Sequence, residues 1–302
     1  MNPSMTLSAL IAQSAQQLEA AHISGNLSFG QGTTNATDEA AWLVLWKLGL
    51  PLDIDFADAT HDVALTEPKV QAVQALIAQR IATRKPAAYL TQEAWLQGVS
   101  FYVDERTIVP RSLIAEALAD GSIDPWLHPN TSRVLDLCTG NGSLGILAAL
   151  AFPDITVQGL DLSKDALAVA TINVNRHGLQ DRVTLTESDG LQHADGLFDL
   201  ILCNPPYVNA QSMAELPAEF KAEPELALAG GDDGMDFIRA LLRRAPDHMS
   251  EYAVLVLEIG HERPYFEAAF PSLNVIWLST SAGDDQLLLA SREALLELSS
   301  LS

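Results

Sequence analysis

The chain predicts an α/β architecture, with a small helical N-terminal domain, a β-hairpin linker and a seven-stranded, mostly parallel sheet whose last strand is antiparallel. The observations behind it are helical apolar periodicity through residue 85, strand-helix repeats from Leu113 onward, and a glycine-rich turn behind a short apolar run at 134–137. At 302 residues the chain exceeds one ordinary domain, and an apolar content of 48% is enough for real cores. The expected bounds are 1–90 for the helical domain, 91–111 for the linker and 112–302 for the sheet domain.

From the N-terminus, residues 7–21 and 40–50 carry helical spacing, so Trp42, Leu45, Trp46 and Leu48 belong to a bundle core. Residues 25–34 form a polar, glycine-bearing loop. Thr66-Glu67-Pro68 opens a helix running to Thr83, with Thr66 at the N-cap and Pro68 in the first turn. Residues 95–109 alternate as strands do. Beyond them lie strands at 134–137, 155–160, 182–186, 198–203, 254–257, 275–278 and 286–289, with an apolar helix at 143–152.

Gly140, Gly142 and Gly145 form a G-x-G-x-x-G turn with Asp161 about 20 residues on, a pattern shared by dinucleotide and S-adenosylmethionine sites. Asp136, just before the turn, separates them: its charge is expected to face the ligand, repelling a pyrophosphate and attracting a sulfonium. Asp161 is placed to accept bonds from ribose hydroxyls, and Asp189 from an adenine amino group. Behind the fourth strand stands Asn204-Pro205-Pro206-Tyr207. Its Asn204 side-chain oxygen and Pro205 carbonyl suit the two N–H bonds of a planar amide or amino nitrogen, while consecutive prolines stiffen the turn and Tyr207 offers a ring for the amide plane.

Asp136 to Gly142, Asp161, Ser188-Asp189 and Asn204 to Tyr207 resemble the successive motifs of Rossmann-like methyltransferases that modify amino groups. Pro86-Ala87-Ala88-Tyr89-Leu90, Ile108-Val109-Pro110-Arg111-Ser112, Glu223-Pro224 and Leu257-Glu258-Ile259-Gly260 are similar to the protein-(glutamine-N5) methyltransferase family. Within it, residues 94–106 look more like the branch acting on the third large-subunit ribosomal protein than the release-factor branch, whose usual Pro-Arg-Pro is here Pro110-Arg111-Ser112. Gly190 also departs from release-factor relatives, which often carry an aromatic residue there and so wall the adenine differently.

The resemblance implies a cofactor site of Asp136, Thr139, Gly140, Asn141, Gly142, Asp161, Leu162, Asp189 and Asn204, holding S-adenosylmethionine and releasing S-adenosylhomocysteine. It implies catalysis by Asn204, Pro205, Pro206 and Tyr207, and substrate binding by Asn204, Pro205, Tyr207 and Arg111. The runner-up activities are release-factor glutamine methylation and adenine methylation of nucleic acid, followed by a nicotinamide oxidoreductase; a non-enzymatic interaction module comes last.

A net charge of −22 opposes stable nucleic-acid binding and favours a basic protein substrate such as a ribosomal protein. No leader-like or membrane-length apolar stretch is evident, so a cytoplasmic location is expected. The cysteines Cys138 and Cys203 give neither a disulfide framework nor a zinc pattern, and no histidine pair has metal spacing, so no metal is expected.

Overall fold

A computed structural model of the chain describes residues 5–54 and 62–301; the outermost expected domain limits, residues 1 and 302, lie outside them. One compact unit comprises Met1–Ala94 with Leu216–Ala222, and a second comprises Trp95–Glu215 with Glu223–Ser302.

The first unit is helical: α1 (Leu7–Ile23), α2 (Ala36–Leu48), α3 (Glu67–Thr83) and the short α4 (Ala87–Thr91). Thr6 and Asn35 cap the first two helices by accepting from Ala9 and Asp38 backbone N–H groups. Thr66 is the N-cap of α3, with Pro68 in the first turn. Leu10, Leu18, Leu43, Leu45, Val73 and Ile77 make the core, and Trp42, Trp46 and Leu48 pack on its margin.

Buried charge also holds this unit together. Arg80 pairs with Glu39 at 2.8 Å, and burial keeps the Glu39 carboxyl above its usual range despite that partner. Glu219, on the returning segment, has no exposed side-chain surface; it accepts from Arg84 Nε and Nη2 at 3.0 and 2.7 Å and from the Ser28 N–H at 2.9 Å. Burial pushes the Glu219 carboxyl up, but those hydrogen bonds outweigh it and the net shift is downward.

Starting at the boundary residue Ala94, β1 (Ala94–Leu96) and β2 (Val99–Phe101) form a hairpin. Its turn, Gln97-Gly98, has φ of 49° and 74°, the left-handed pair that a two-residue hairpin turn requires. The strand pattern expected to reach 109 ends at Phe101. The cause is local: the Asp104 carboxylate accepts from the Arg106 N–H at 3.1 Å and the Thr107 N–H bonds the Asp104 carbonyl, so the backbone turns instead of pairing.

Then follow α5 (Ile114–Ala119), β3 (Arg133–Leu137), α6 (Ser143–Ala151), β4 (Thr156–Asp161), α7 (Lys164–Arg176), β5 (Val183–Glu187) and β6 (Phe198–Cys203). The remainder is α8 (Ala210–Glu215), α9 (Ala218–Lys221) in the returning segment, α10 (Asp236–Arg244), β7 (Met249–Glu258), α11 (Arg263–Ala269), β8 (Ile276–Thr280), β9 (Gly283–Ser291) and α12 (Arg292–Leu301).

Among the described residues, seven strands form one sheet in the order β5-β4-β3-β6-β7-β9-β8. Only β9 runs against its neighbours β7 and β8 in that sheet. Leu135, Leu137, Ile201, Cys203, Leu255 and Leu257 face one apolar layer, while Val134, Leu200, Leu202, Val254 and Val256 face the other. That alternation explains why the central strands read as unbroken apolar runs. The chain leaves β3 toward β4 on one side and later returns through β6 on the other, which opens a crevice at the carboxyl ends of these strands.

Glu219→Ala is expected to destabilise the chain by about 3–5 kcal/mol, because Arg84 and Arg80 lose a buried counter-charge. Urea unfolding of the intact chain measures this, and a midpoint equal to that of the parent would show that the cluster holds nothing.

Candidate active site

The glycine turn is built on Asp136. This residue ends no exposed edge: it is fully buried, its Oδ2 accepting from the Thr139 hydroxyl at 2.5 Å and the Gly145 N–H at 2.8 Å. Burial pushes its carboxyl up to about 6, against the lowering effect of these bonds. A Cβ on Gly145 would lie 3.0 Å from Asp136 Oδ2 and 3.1 Å from Val157 Cγ1, so glycine is what lets α6 sit this close to the sheet. Gly142, at φ 82°, is the α6 N-cap, and Cys138 itself takes φ 60° where the strand breaks into the turn.

Asp161 ties this turn to the end of β4. Its Oδ2 accepts from the Gly140 N–H and its Oδ1 from the Ser163 N–H, both at 2.8 Å, and burial raises its carboxyl. After β5, Ser188 is buried and shapes the next turn by donating to the Gly190 carbonyl at 2.8 Å. Asp189 beside it is exposed and accepts from Gln192 at 3.1 Å.

After β6 the chain passes through Asn204-Pro205-Pro206-Tyr207 and is held from several directions. The Tyr207 hydroxyl lies 3.3 Å from Glu258 Oε1, while Glu258 Oε2 accepts from the Ser112 hydroxyl at 2.5 Å and the Leu113 N–H at 2.9 Å. Burial raises both the Tyr207 hydroxyl and the Glu258 carboxyl above their ordinary ranges, which keeps the phenol a hydrogen-bond donor. A Cβ on Gly260 would fall 2.5 Å from the Tyr207 ring, and one on Gly234 2.2 Å from the Tyr207 carbonyl oxygen. Side chains at those positions would therefore displace the loop. Val208 and Gly230 complete the cradle by reciprocal backbone bonds with Leu228 and Val208.

These pieces surround one cleft, whose space counted out to its open mouth is about 820 Å³. Gly140, Asp161, Leu162, Asp189, Asn204 and Pro206 stand on its wall. Asp136, Thr139, Asn141 and Gly142 do not; they belong to the end of β3 and to the turn itself, whose shape the Thr139–Asp136 and Ser143–Asn141 bonds set. Asp136, whose charge the sequence places toward the ligand, is fully buried and off the cleft wall: its Oδ2 is taken up by the Thr139 hydroxyl and the Gly145 N–H, while its Oδ1 is buried without a hydrogen-bond partner.

Pro205 and Tyr207 also stand off the wall, and Tyr207 is a brace, its ring against Gly260. Arg111, expected to hold substrate, instead grips Glu223 with a fork of bonds at 2.6 and 2.8 Å, while the Val109 N–H donates to the same carboxylate. That pair fastens Ile108 to Pro224 and Leu226, all on the wall.

Sequence reasoning gave no role to Arg106, Phe237 or Glu258. Glu258 carried a signal, a lone carboxylate closing the apolar run 253–257. Phe237 carried none, since an aromatic residue on a helix reads as core; it lines the same cleft as Gly190, which has no side chain to offer.

Residues 123–231 match the Methyltransferase small domain family. The ribosomal protein uL3 glutamine methyltransferase of Bordetella pertussis is 50% identical over 293 residues, covering 96% of this chain and 96% of its own length. That of Burkholderia pseudomallei is 50% identical over 273 residues, covering 87% and 88%. A solved methyltransferase from Pyrococcus furiosus is 18% identical, spans 72% of this chain and 97% of its own, and superposes with a TM-score of 0.48.

With a folded value of about 6 against an ordinary 3.8, Asp136 binds its proton more tightly in the fold than in the unfolded chain. Its contribution is thus fully present below about pH 4 and lost as pH rises through about 6, by at most about 3 kcal/mol. Asp136→Asn is expected to flatten that part of the stability profile, read as denaturation midpoints between pH 4 and 7; an unchanged slope would remove Asp136 as its source.

Proposed function

Because the chain belongs to the ribosomal protein uL3 glutamine methyltransferase family, we propose that it transfers a methyl group from S-adenosylmethionine to the side-chain amide nitrogen of a glutamine in protein uL3. The observation that carries this reading is the presence of Asn204 on the same wall as Asp161 and Gly140, behind a loop braced by Glu258.

The wall suits the donor chemically. Asp161 and Asp189 offer acceptors for hydroxyls and an amino group, Leu160, Leu162 and Phe237 offer apolar surface for a planar base, and the acids favour a cation. When bound, S-adenosylmethionine supplies an electrophilic methyl on sulfonium sulfur.

The chain's own task is orientation. An amide nitrogen is a poor nucleophile because its lone pair is delocalised into the carbonyl. The Asn204 side-chain oxygen, on the cleft wall, accepts one of its N–H bonds, and the Pro205 carbonyl, one residue beyond that wall residue, is assigned the other, so that the lone pair turns toward the methyl. Pro205 and Pro206 keep that turn stiff, and Tyr207, clamped between Glu258 and Gly260, keeps it in place. No compulsory base is assigned, since the nitrogen becomes acidic as it gains the methyl and sheds its proton afterwards. Oriented reactants of this kind gain on the order of 7–11 kcal/mol from proximity.

Substrate recognition is assigned to the helical residues 1–90, joined through the linker 91–111 to the methyltransferase domain 112–302; in support, the cleft wall draws on residues 106–237 alone. Net charge −22 suits a basic ribosomal protein better than nucleic acid. The proposed place of action is the cytoplasm, where ribosomal proteins are made. No helix among the described residues is long and apolar enough to cross a membrane.

Incubating the purified chain with labelled S-adenosylmethionine and either uL3 or a release factor tests the reading, with mass spectrometry locating the label on a uL3 glutamine. Label entering only release factor would overturn the substrate choice. Asn204→Ala is expected to lower turnover by about 100- to 1,000-fold, the effect of losing one oriented hydrogen-bonding group, while donor affinity measured by calorimetry stays near that of the parent. Near-normal turnover would remove Asn204 from the mechanism.

A further inference from the structure

Among the described residues lining the cleft, Arg106 is the one cation, set against the carboxylates of Asp161 and Asp189. Its position is fixed by an unusually complete set of contacts. The backbone N–H donates to Asp104 Oδ1 at 3.1 Å, Nε lies 2.9 and 3.1 Å from the two Asp104 oxygens, and Nη2 lies 2.6 Å from Oδ2. Tyr102 donates to the same Asp104 at 2.8 Å.

The segment is tied in turn to the glycine turn. The fully buried Asn173 accepts from the Tyr102 N–H at 2.7 Å and donates to the carbonyls of Tyr102 and Asn141, both at 2.9 Å. Through Asn173, on α7 between β4 and β5, the Arg106 segment is linked to the Asn141 carbonyl of the glycine turn, whereas Asp161 and Asp189 follow β4 and β5. A guanidinium has two edges that present parallel N–H bonds. Asp104 takes the Nε and Nη2 edge and the Tyr102 hydroxyl also hydrogen-bonds the guanidinium, while the Nη1 side lies outside the Asp104 pair. The side chain keeps 38% of its surface exposed.

We propose, resting on the donor reading above, that Arg106 binds the α-carboxylate of the donor's amino-acid end. S-adenosylmethionine carries two positive groups, which the acids of the wall accommodate, and one anion, which those acids repel. With the nucleoside hydroxyls at Asp161 and the base toward Asp189, the amino-acid end falls on the glycine-turn side. Arg106 meets the anion there, and Asp104 and Tyr102 hold the fork in register without desolvating the ion alone. Arg106 thus selects donors that carry an amino-acid tail over nucleosides that share only the ribose, base and sulfur.

Calorimetry on the full chain tests this without any methyl acceptor, using S-adenosylhomocysteine and 5′-methylthioadenosine, which lacks the amino-acid group. Arg106→Met is expected to weaken S-adenosylhomocysteine roughly 10- to 100-fold, the range of a charge-assisted hydrogen-bonded pair, with 5′-methylthioadenosine held within about twofold. Retained 5′-methylthioadenosine binding also shows that the variant is folded, and Arg106→Lys is expected to recover part of the loss. Parallel weakening of both probes, or no change in either, would overturn the assignment and leave Arg106 a support for the loop. If the parent protein binds neither probe, the donor reading itself falls, and this assignment with it.

Discussion

The parallel pairing of β3 with β4 on one side and with β6 on the other is the constraint from which this molecule's chemistry follows. Leu137 stands opposite both Leu160 and Cys203, so the turn after β3, Asp161 at the end of β4 and Asn204 just past β6 emerge at one level on one edge. That pairing alone brings Gly140, Asp161 and Asn204 to the same cleft. The helices on both faces serve that edge by burying the strands, which is why the central strands tolerate so little polarity.

Carboxylates do most of the fastening around that edge. Asp136 holds the glycine turn from below, Asp161 holds it from the side, Glu223 joins the Arg111 segment to Pro224, and Glu258 joins Ser112 and Leu113 to Tyr207. Each accepts from backbone N–H groups or hydroxyls, which offsets part of the acid's desolvation; for Asp136, Asp161 and Glu258 burial still outweighs those bonds and holds the carboxyl above its usual range. Such loops are preorganised, which suits a reaction in which orientation is the main contribution.

Much of this was legible in the chain itself. Strand-helix repeats, the glycine spacing and the acids behind successive strands located the sheet, its turn and Asp161, Asp189 and Asn204, because those signals are local: period, φ > 0 and position at a strand end. The antiparallel course of the last strand was expected as well, although its insertion between β7 and β8 has no local sign. Asp136 and Arg111 show the limit. Each sits where a ligand contact was reasonable, but the direction of a carboxylate or guanidinium depends on which partner lies nearest, and those partners are Thr139 and Gly145 in one case and Glu223, more than a hundred residues away, in the other.

The sequence alone determined the order of elements, the turn that only glycines can make, and the presence of a stiff Asn-Pro-Pro-Tyr loop behind a buried strand, since backbone sterics and hydrophobic period act over a few residues. Only the tertiary structure decided which charged groups face the cleft and which are fasteners. Asp104 with Arg106, and Ser112 with Glu258, acquire their roles by the packing of distant segments, and a side chain's orientation is set by the neighbours that folding brings to it.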